Sequence, residues 1–319
     1  MADIAHEAGL LPDETVLTAA SKLFIHLWHS AWEHAPQTAG GDADALHDMR
    51  VSLRRLRSAL QNLEGERATP LIDARVRREF AKQRKSLGKL GDALGAVRDH
   101  DVLGDYLREY AEKKLKKSLA DLAGLAQLDE YLKVEREAAF GPMVKKINRA
   151  LKPAKQREEF ARWALGLPGI ETPPMTLQEA RAIILPQRID DVYAHAFALA
   201  DDNDAEGHHE FRKSLRRLRY ALETLSVCFP ENTKSMLKKL VKAQDILGEM
   251  QDREVLHQTA LRAYGIKATT EKALDEILPP DIAVFLLFGD DRRRHLLEEA
   301  RAFWQKNQSG GLFDELRAL

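Results

Sequence analysis

Residues 46–60 read LHDMRVSLRRLRSAL, and residues 208–222 read HHEFRKSLRRLRYAL. The stretches lie at one constant offset of 162 residues (46 to 208). They share a histidine, an arginine, the run Ser-Leu-Arg-Arg-Leu-Arg and a closing Ala-Leu. In the first, Met49, Leu53, Leu56, Leu60 and Leu63 recur every three or four residues, which is the signature of an amphipathic helix. At 100° per residue these five occupy an arc of about 80°, and His47, Arg50, Arg54 and Arg57 share an equally narrow arc across the helix. The second copy repeats the arrangement. Phe211, Leu215, Leu218, Leu222 and Leu225 take the apolar face, and His209, Arg212, Arg216 and Arg219 take the basic one. Arg55 and Arg217 sit to the side. Each stripe is ~15 Å long at 1.5 Å per residue.

A second pair of blocks follows. LGAVRDHDVL at 94–103 matches LGEMQDREVL at 247–256, at an offset of 153 (94 to 247). Two blocks repeated in the same order imply duplication of a helical module of ~150 residues, with a length difference after Leu63. The rest of the chain is also helical in pattern. Helices are expected over about Asp13–Glu33, Asp44–Leu63, Leu71–Leu94, Asp99–Leu119 and Leu122–Ala150. They resume over Leu177–Ala200, Asp204–Cys228, Thr233–Leu247 and Arg253–Ala263, with two more near Glu271–Leu278 and Asp291–Gln305. Asp44 and Asp204 stand where helix caps belong. The Gly/Pro-rich stretch Leu165–Pro174 reads as a linker. The expected organisation is a first module over 1–165, a second over 175–265, and a helical extension over 266–319 that completes or caps the second. No alternation of strand and helix appears, so doubly wound and barrel folds fit poorly. The fold class is all-α.

Composition sets outer limits. Of 319 residues, 49 are Lys or Arg and 50 are Asp or Glu, for a net charge of −1. That balance alone argues against a generic nucleic-acid binder. The lone cysteine, Cys228, excludes an internal disulfide and a multi-thiolate metal site, and a reducing cytoplasm is the simplest compartment. Its apolar setting before Phe229-Pro230 suits a core position. The N-terminus has no basic region of the signal-peptide kind. The most apolar run, Ile282–Phe288, is too short to span a bilayer and suits a buried element.

A basic face on a helix is commonly just a solvated surface. Ordinary surface faces mix signs so that Glu–Lys pairs form one turn apart. These faces are nearly all positive, and the pattern recurs arginine for arginine in both copies. Pairing with Asp99, Asp101, Asp252 or Glu254 is an alternative that would use some of the arginines. The following helix continues the theme. Seven basic residues and one acid fall between Arg75 and Lys89. Arg78, Lys82, Lys85 and Lys89 share a face, and Lys238 and Lys242 match Lys85 and Lys89 at the second offset. Rows of guanidinium and ammonium groups one turn apart suit a ligand with repeating phosphates. His47 and His209 fall in first turns, where the helix dipole also favours an anion. Surrounding positive charge should favour the neutral imidazole.

The His-x-x-Arg-x-x-x-Arg-Arg-Leu-Arg blocks, each followed by Leu-Gly and an Asp, resemble the CHAD family, the histidine-containing α-helical domain. The resemblance runs from about Val16 to Leu261. It implies two pseudo-symmetric four-helix bundles around a basic channel that binds inorganic polyphosphate. It also implies association with polyphosphate granules in bacteria and with proteins found there. Some relatives carry a β-barrel triphosphate-tunnel enzyme domain; with no strand-rich region, this sequence is expected to be a stand-alone member.

Catalysis has weak support in the residues. Asp44-x-x-His47 and Glu206-x-x-His209 have the spacing of di-metal carboxylate bundles, but arginines surround them and would repel a metal. Neither a phosphate-cradling glycine loop nor a His-Glu-x-x-His motif is present. No cofactor, catalytic residue or metal site is expected. The stripes lack the interleaved aromatics that bases stack on, Tyr220 excepted, which speaks against nucleic acid. The Arg292-Arg293-Arg294-His295 cluster reads as a surface feature. The expected function is non-enzymatic polyphosphate binding in the cytoplasm. Nucleic-acid or acidic-protein binding, or a metal-dependent phosphohydrolase, are the alternatives.

Overall fold

A computed structural model describes residues 4–66, 68–151, 155–170, 174–229, 233–266 and 277–319. Among these residues the chain is all helix, with no strand and two isolated backbone bridges, Thr15–Thr176 and Gly65–Pro70. The helices are α1 (Ile4–Glu7), α2 (Val16–Glu33), α3 (Ala35–Ala39), α4 (Ala43–Glu64), α5 (Ala74–Glu109), α6 (Ala123–Leu151), α7 (Lys155–Leu165), α8 (Leu177–His195), α9 (Ala205–Thr224), α10 (Thr233–Ala263), α11 (Pro280–Asn307) and α12 (Leu312–Arg317).

Local chemistry explains the starts. Asp42 caps α4 by accepting from the Ala45 amide at 2.8 Å, so the cap lies two residues before the expected Asp44. Asp73 caps α5 with bonds from the Arg75 and Val76 amides. Asp204 caps α9 as expected, accepting from Gly207. Thr176 and Glu179 form a reciprocal capping box on α8. After α4, Gly65 turns with φ +68, and a Cβ there would lie 2.7 Å from the Leu71 amide and the Thr69 carbonyl. Only glycine fits that turn.

Two expected breaks are absent. The sequence places helix ends near Leu94 and Leu247, but α5 and α10 run unbroken through them. A glycine costs a helix only about 1 kcal/mol, and packing readily outweighs that. α5 then ends in a π-helical turn, Tyr110–Lys114. α7 was not anticipated. α11 starts at Pro280, not near Asp291, and takes in the apolar run. There Ile282, Ala283, Phe285 and Leu286 are buried while Val284 and Leu287 face outward. The helix expected near Glu271–Leu278 lies largely outside the described residues.

The chain packs in sequence. α2 lies on α4, α4 on α5 and α5 on α6; α8 lies on α9, α9 on α10 and α10 on α11. The apolar faces of α4 and α9 are buried as their periodicity requires, from Met49 to Leu63 and from Phe211 to Leu225. Each such side chain contributes roughly 1.5–3 kcal/mol relative to exposure. One core runs through both halves of the chain. A second joins the far ends of α5, α6, α10 and α11 around Leu107, Leu128, Leu256 and Phe285. α4 and α9 also pack on each other, which brings the two repeated blocks together.

Candidate functional site

Where α4 meets α9, the basic edges of both helices border two cavities that share Arg54, Arg212 and Arg216. The smaller, about 490 Å³, adds Arg50 and Arg57 from α4, and Gly91, Asp92, Gly95 and Asp99 from α5. Its walls thus hold five arginines and two aspartates. The larger, about 540 Å³, adds Arg98 and Tyr106 from α5, Arg219 from α9 and Arg253 from α10. Its six arginines face five acids, Asp105, Glu109, Asp245, Glu249 and Asp252. The acids that balance the net charge are therefore not confined to the exterior.

Some arginines are held by partners. Arg50 pairs with Asp99 at 3.2 Å, and Arg54 Nε donates to the Tyr220 hydroxyl at 2.9 Å across the two halves. Arg219 pairs with Glu223 at 3.4 Å and lies over the Tyr220 ring. Arg253 pairs with Glu249 at 3.0 Å and stacks 3.4 Å above the Tyr106 ring. Arg57, Arg98, Arg212 and Arg216 have no ion pair among the described residues.

That imbalance registers in proton affinities. Burial, then the charges of Arg54 and Arg212, push Arg216 down to about 9. Burial also lowers Arg212, against the pull of Asp252. Asp252 moves the other way: burial raises it more than Arg212 and Arg253 lower it. Burial would raise the Tyr220 hydroxyl, but Arg54 and Arg219 draw it below its usual range. A site whose cations are partly desolvated and short of counter-charge is arranged to accept an anion.

The Leu-Gly pairs of the second repeated block now have a physical role. A Cβ on Gly95 would meet the Arg50 guanidinium at 3.5 Å, and one on Gly248 would meet that of Arg212 at 3.7 Å. Arg57 lies equally close over Gly88 and Gly91. The guanidinium groups rest over bare helix backbone at the contact distance of a Cβ, so only atoms beyond a Cβ would crowd them.

Other expected site residues lie apart from these walls. Because α4 and α9 start at Ala43 and Ala205, His47 and His209 fall just past the first turns in which they were expected; His47 is exposed, its pKa lowered by partial burial and then by Arg98. His209 is half-buried, with Nδ1 3.1 Å from Gln251 Oε1. Its neighbour His208, not singled out from sequence, is buried and bonds the Ala198 backbone. Arg55 pairs with Glu223 at 3.3 Å and Arg217 with Asp191 at 2.8 Å. Arg78, Lys82, Lys85, Lys89, Lys238 and Lys242 are exposed on α5 and α10 and border neither cavity. Lys82 is 3.6 Å from Glu79. Arg98, Tyr106 and Arg253 were missed, although Arg98 and Arg253 belong to the second repeated block and were legible there. In the terminal cluster, Arg294 and His295 pair with exposed acids, whereas Arg292 bonds Glu249 behind the larger cavity. Among the described residues no group of three His, Cys, Asp or Glu side chains is placed to hold a metal ion. No described helix is long and apolar enough to cross a membrane.

Comparison with curated proteins finds no match. The chain is similar in fold to the crystal structure of the CHAD domain from the plant Ricinus communis, with 23% identity and a TM-score of 0.60. That match covers 97% of this chain and 92% of the other. It is also similar to PptA from Streptomyces chartreusis, with 19% identity and a TM-score of 0.59, over 92% of this chain and 98% of that one. The family model of the CHAD domain matches residues 23–261.

Proposed function

The chain belongs to the CHAD domain family, and from that premise we propose that it binds inorganic polyphosphate, without catalysis, in the arginine-lined cavities between α4 and α9. The observation that carries the reading is the smaller cavity, where five arginines face two aspartates and Arg57, Arg212 and Arg216 form no ion pair among the described residues. Arginine presents a planar fork of donors that matches phosphate oxygens two at a time. Each such bond is worth ~1.5–3 kcal/mol locally, less after desolvation and screening. A chain of phosphates can engage Arg50, Arg54, Arg212 and Arg216 in succession. The exposed lysines, Lys82, Lys85, Lys89, Lys238 and Lys242, add positive field on the outer helix faces and steer the chain inward. The two halves act as pseudo-symmetric bundles that each present one arginine stripe. Granule association follows from the ligand, because a protein that holds long-chain polyphosphate collects where that polymer does.

Nucleic acid fits this site less well. Single strands are held by stacking bases on aromatic faces. Tyr106 is covered by Arg253 and Tyr220 is buried under Arg219.

Titration calorimetry with long-chain polyphosphate at low salt tests the proposal. Saturable binding is expected, with excess RNA failing to displace it. Arg54→Glu with Arg216→Glu should abolish the heat while the helical circular dichroism persists. Phosphate release in Mg²⁺ or Mn²⁺ would contradict the non-catalytic reading. An absence of binding would contradict the ligand.

A further inference from the structure

α11 lies outside the residues that the family model matches, 23–261, and no described residue of it lines either arginine cavity. It packs along α10 all the same. Its apolar face decides where its charges fall. Ile282, Phe285, Leu286, Leu296, Leu297 and Ala300 are buried. On the α10 side, His257 meets Asp290 at 3.1 Å. That register sets Arg292 against Glu249, a wall residue of the larger cavity.

The contact is a fork. Arg292 Nε donates to Glu249 Oε1 and Arg292 Nη2 to Glu249 Oε2, both at 3.0 Å. Two parallel bonds of this kind fix orientation as well as adding energy. The remaining nitrogen, Nη1, donates to Glu299 at 3.3 Å, two turns along α11, and so steadies the guanidinium. The Arg292 bond draws the Glu249 carboxyl below its usual range, and the same bond lifts the Arg292 guanidinium above its own. Glu249 also has a claimant inside the cavity. Arg253 Nη2 donates to Oε1 at 3.0 Å, while the Arg253 guanidinium lies 3.4 Å above the Tyr106 ring. Arg292 therefore engages both carboxylate oxygens from behind the wall, and Arg253 keeps a share in one.

A carboxylate in the wall of an anion site harms binding in two ways. It repels the ligand, and it takes donors that a phosphate oxygen would use. Held by a fork from behind, Glu249 faces away from the other arginines. Released, it can turn toward them, and every donor it takes is lost to the ligand. A bare positive charge on α11 would not do the same work. The field of a charge acts whatever its neighbours are, whereas holding back a competitor matters only while the competitor is there.

We infer that Arg292 is a positioning residue for the anion site: it holds Glu249 back from the cavity's arginines, so that α11 serves binding without touching the ligand. The inference rests on the polyphosphate reading above and extends the machinery of that site beyond the family-matched residues.

Titration calorimetry with long-chain polyphosphate on the full chain tests it as a double-mutant cycle. The proteins are the wild type, Arg292→Gln, Glu249→Gln and the double variant, each checked for folding by circular dichroism. Arg292→Gln should weaken binding about fivefold. In the Glu249→Gln background the same substitution should weaken it less than about twofold, because the competitor is gone. Arg294→Gln removes an equal charge from the same helix and should stay within about twofold of the wild type. Arg292→Lys keeps the charge but reaches one carboxylate oxygen at a time. It should show part of the loss, so the test does not depend on Arg292→Gln folding. An equal loss from Arg292→Gln in both backgrounds, or an equal loss from Arg294→Gln, overturns the inference and leaves the polyphosphate reading standing. An absence of wild-type binding overturns both.

Discussion

Arg216 concentrates the tension in the site. Its folded value of about 9 lies well below the usual guanidinium range, so the unfolded chain holds that proton more tightly. Below about pH 9 the native state carries the full cost of the charge, and the cost fades as pH rises from there toward the usual guanidinium range. At neutral pH Arg216 stays charged, and a bound anion relieves the cost. Arg216→Met is therefore expected to raise Tm by ~2–4 °C for each kcal/mol relieved, while weakening polyphosphate about tenfold. Scanning calorimetry and titration on one sample check both halves; a lower Tm with unchanged affinity would refute the argument. Asp252 is the converse case. Its folded value is raised, so its contribution to stability falls as pH climbs past the ordinary 3.8 through the raised value. A buried carboxylate also opposes an anion in the cavity proposed to hold one. Asp252→Asn should hold or raise Tm and tighten polyphosphate about two- to fivefold, measured by titration at fixed salt. Neither residue's energetics could be read from sequence, because both depend on charges brought in from other helices.

At the scale of elements, the helices themselves were largely legible. Caps at Asp204 and near Asp44, and the unbroken periodicity of α4 and α9, placed faces as well as spans. Two of the departures lie at glycines: helix ends were expected near Leu94 and Leu247, whereas α5 and α10 run on through Gly95 and Gly248, over which the guanidinium groups of Arg50 and Arg212 rest. That account makes a measurable claim. Gly95→Leu or Gly248→Leu should improve helix propensity by about 1 kcal/mol, leaving circular dichroism intact or stronger. Each should nonetheless weaken polyphosphate several-fold, because the displaced arginine can no longer reach the cavity. Wild-type affinity in both variants would mean that the glycines serve only packing. The basic rows on α5 and α10 show the opposite limit of sequence reasoning. Their periodicity gave a correct charged face, but which way that face points depends on the position of a neighbouring helix.

For the molecule as a whole, a net charge of −1 conceals a site that is rich in arginine yet edged with acids. The doubled Arg-Arg-Leu-Arg block was enough to foresee two basic stripes. It could not show that Arg55, Arg217 and Arg219 are partly spent on Glu223 and Asp191, or that Arg57, Arg212 and Arg216 form no ion pair among the described residues. The proposed binding of polyphosphate through those arginines would be an ion exchange, so its affinity would follow salt. The most direct test is the affinity of the wild type and of Arg54→Gln with Arg216→Gln for long-chain polyphosphate across a salt series. The account predicts a straight fall of log K with log salt in the wild type. In the double variant it predicts a loss of about a hundredfold at low salt and a slope shallower by about one to two. Equal affinity and equal slope in the two proteins would contradict it.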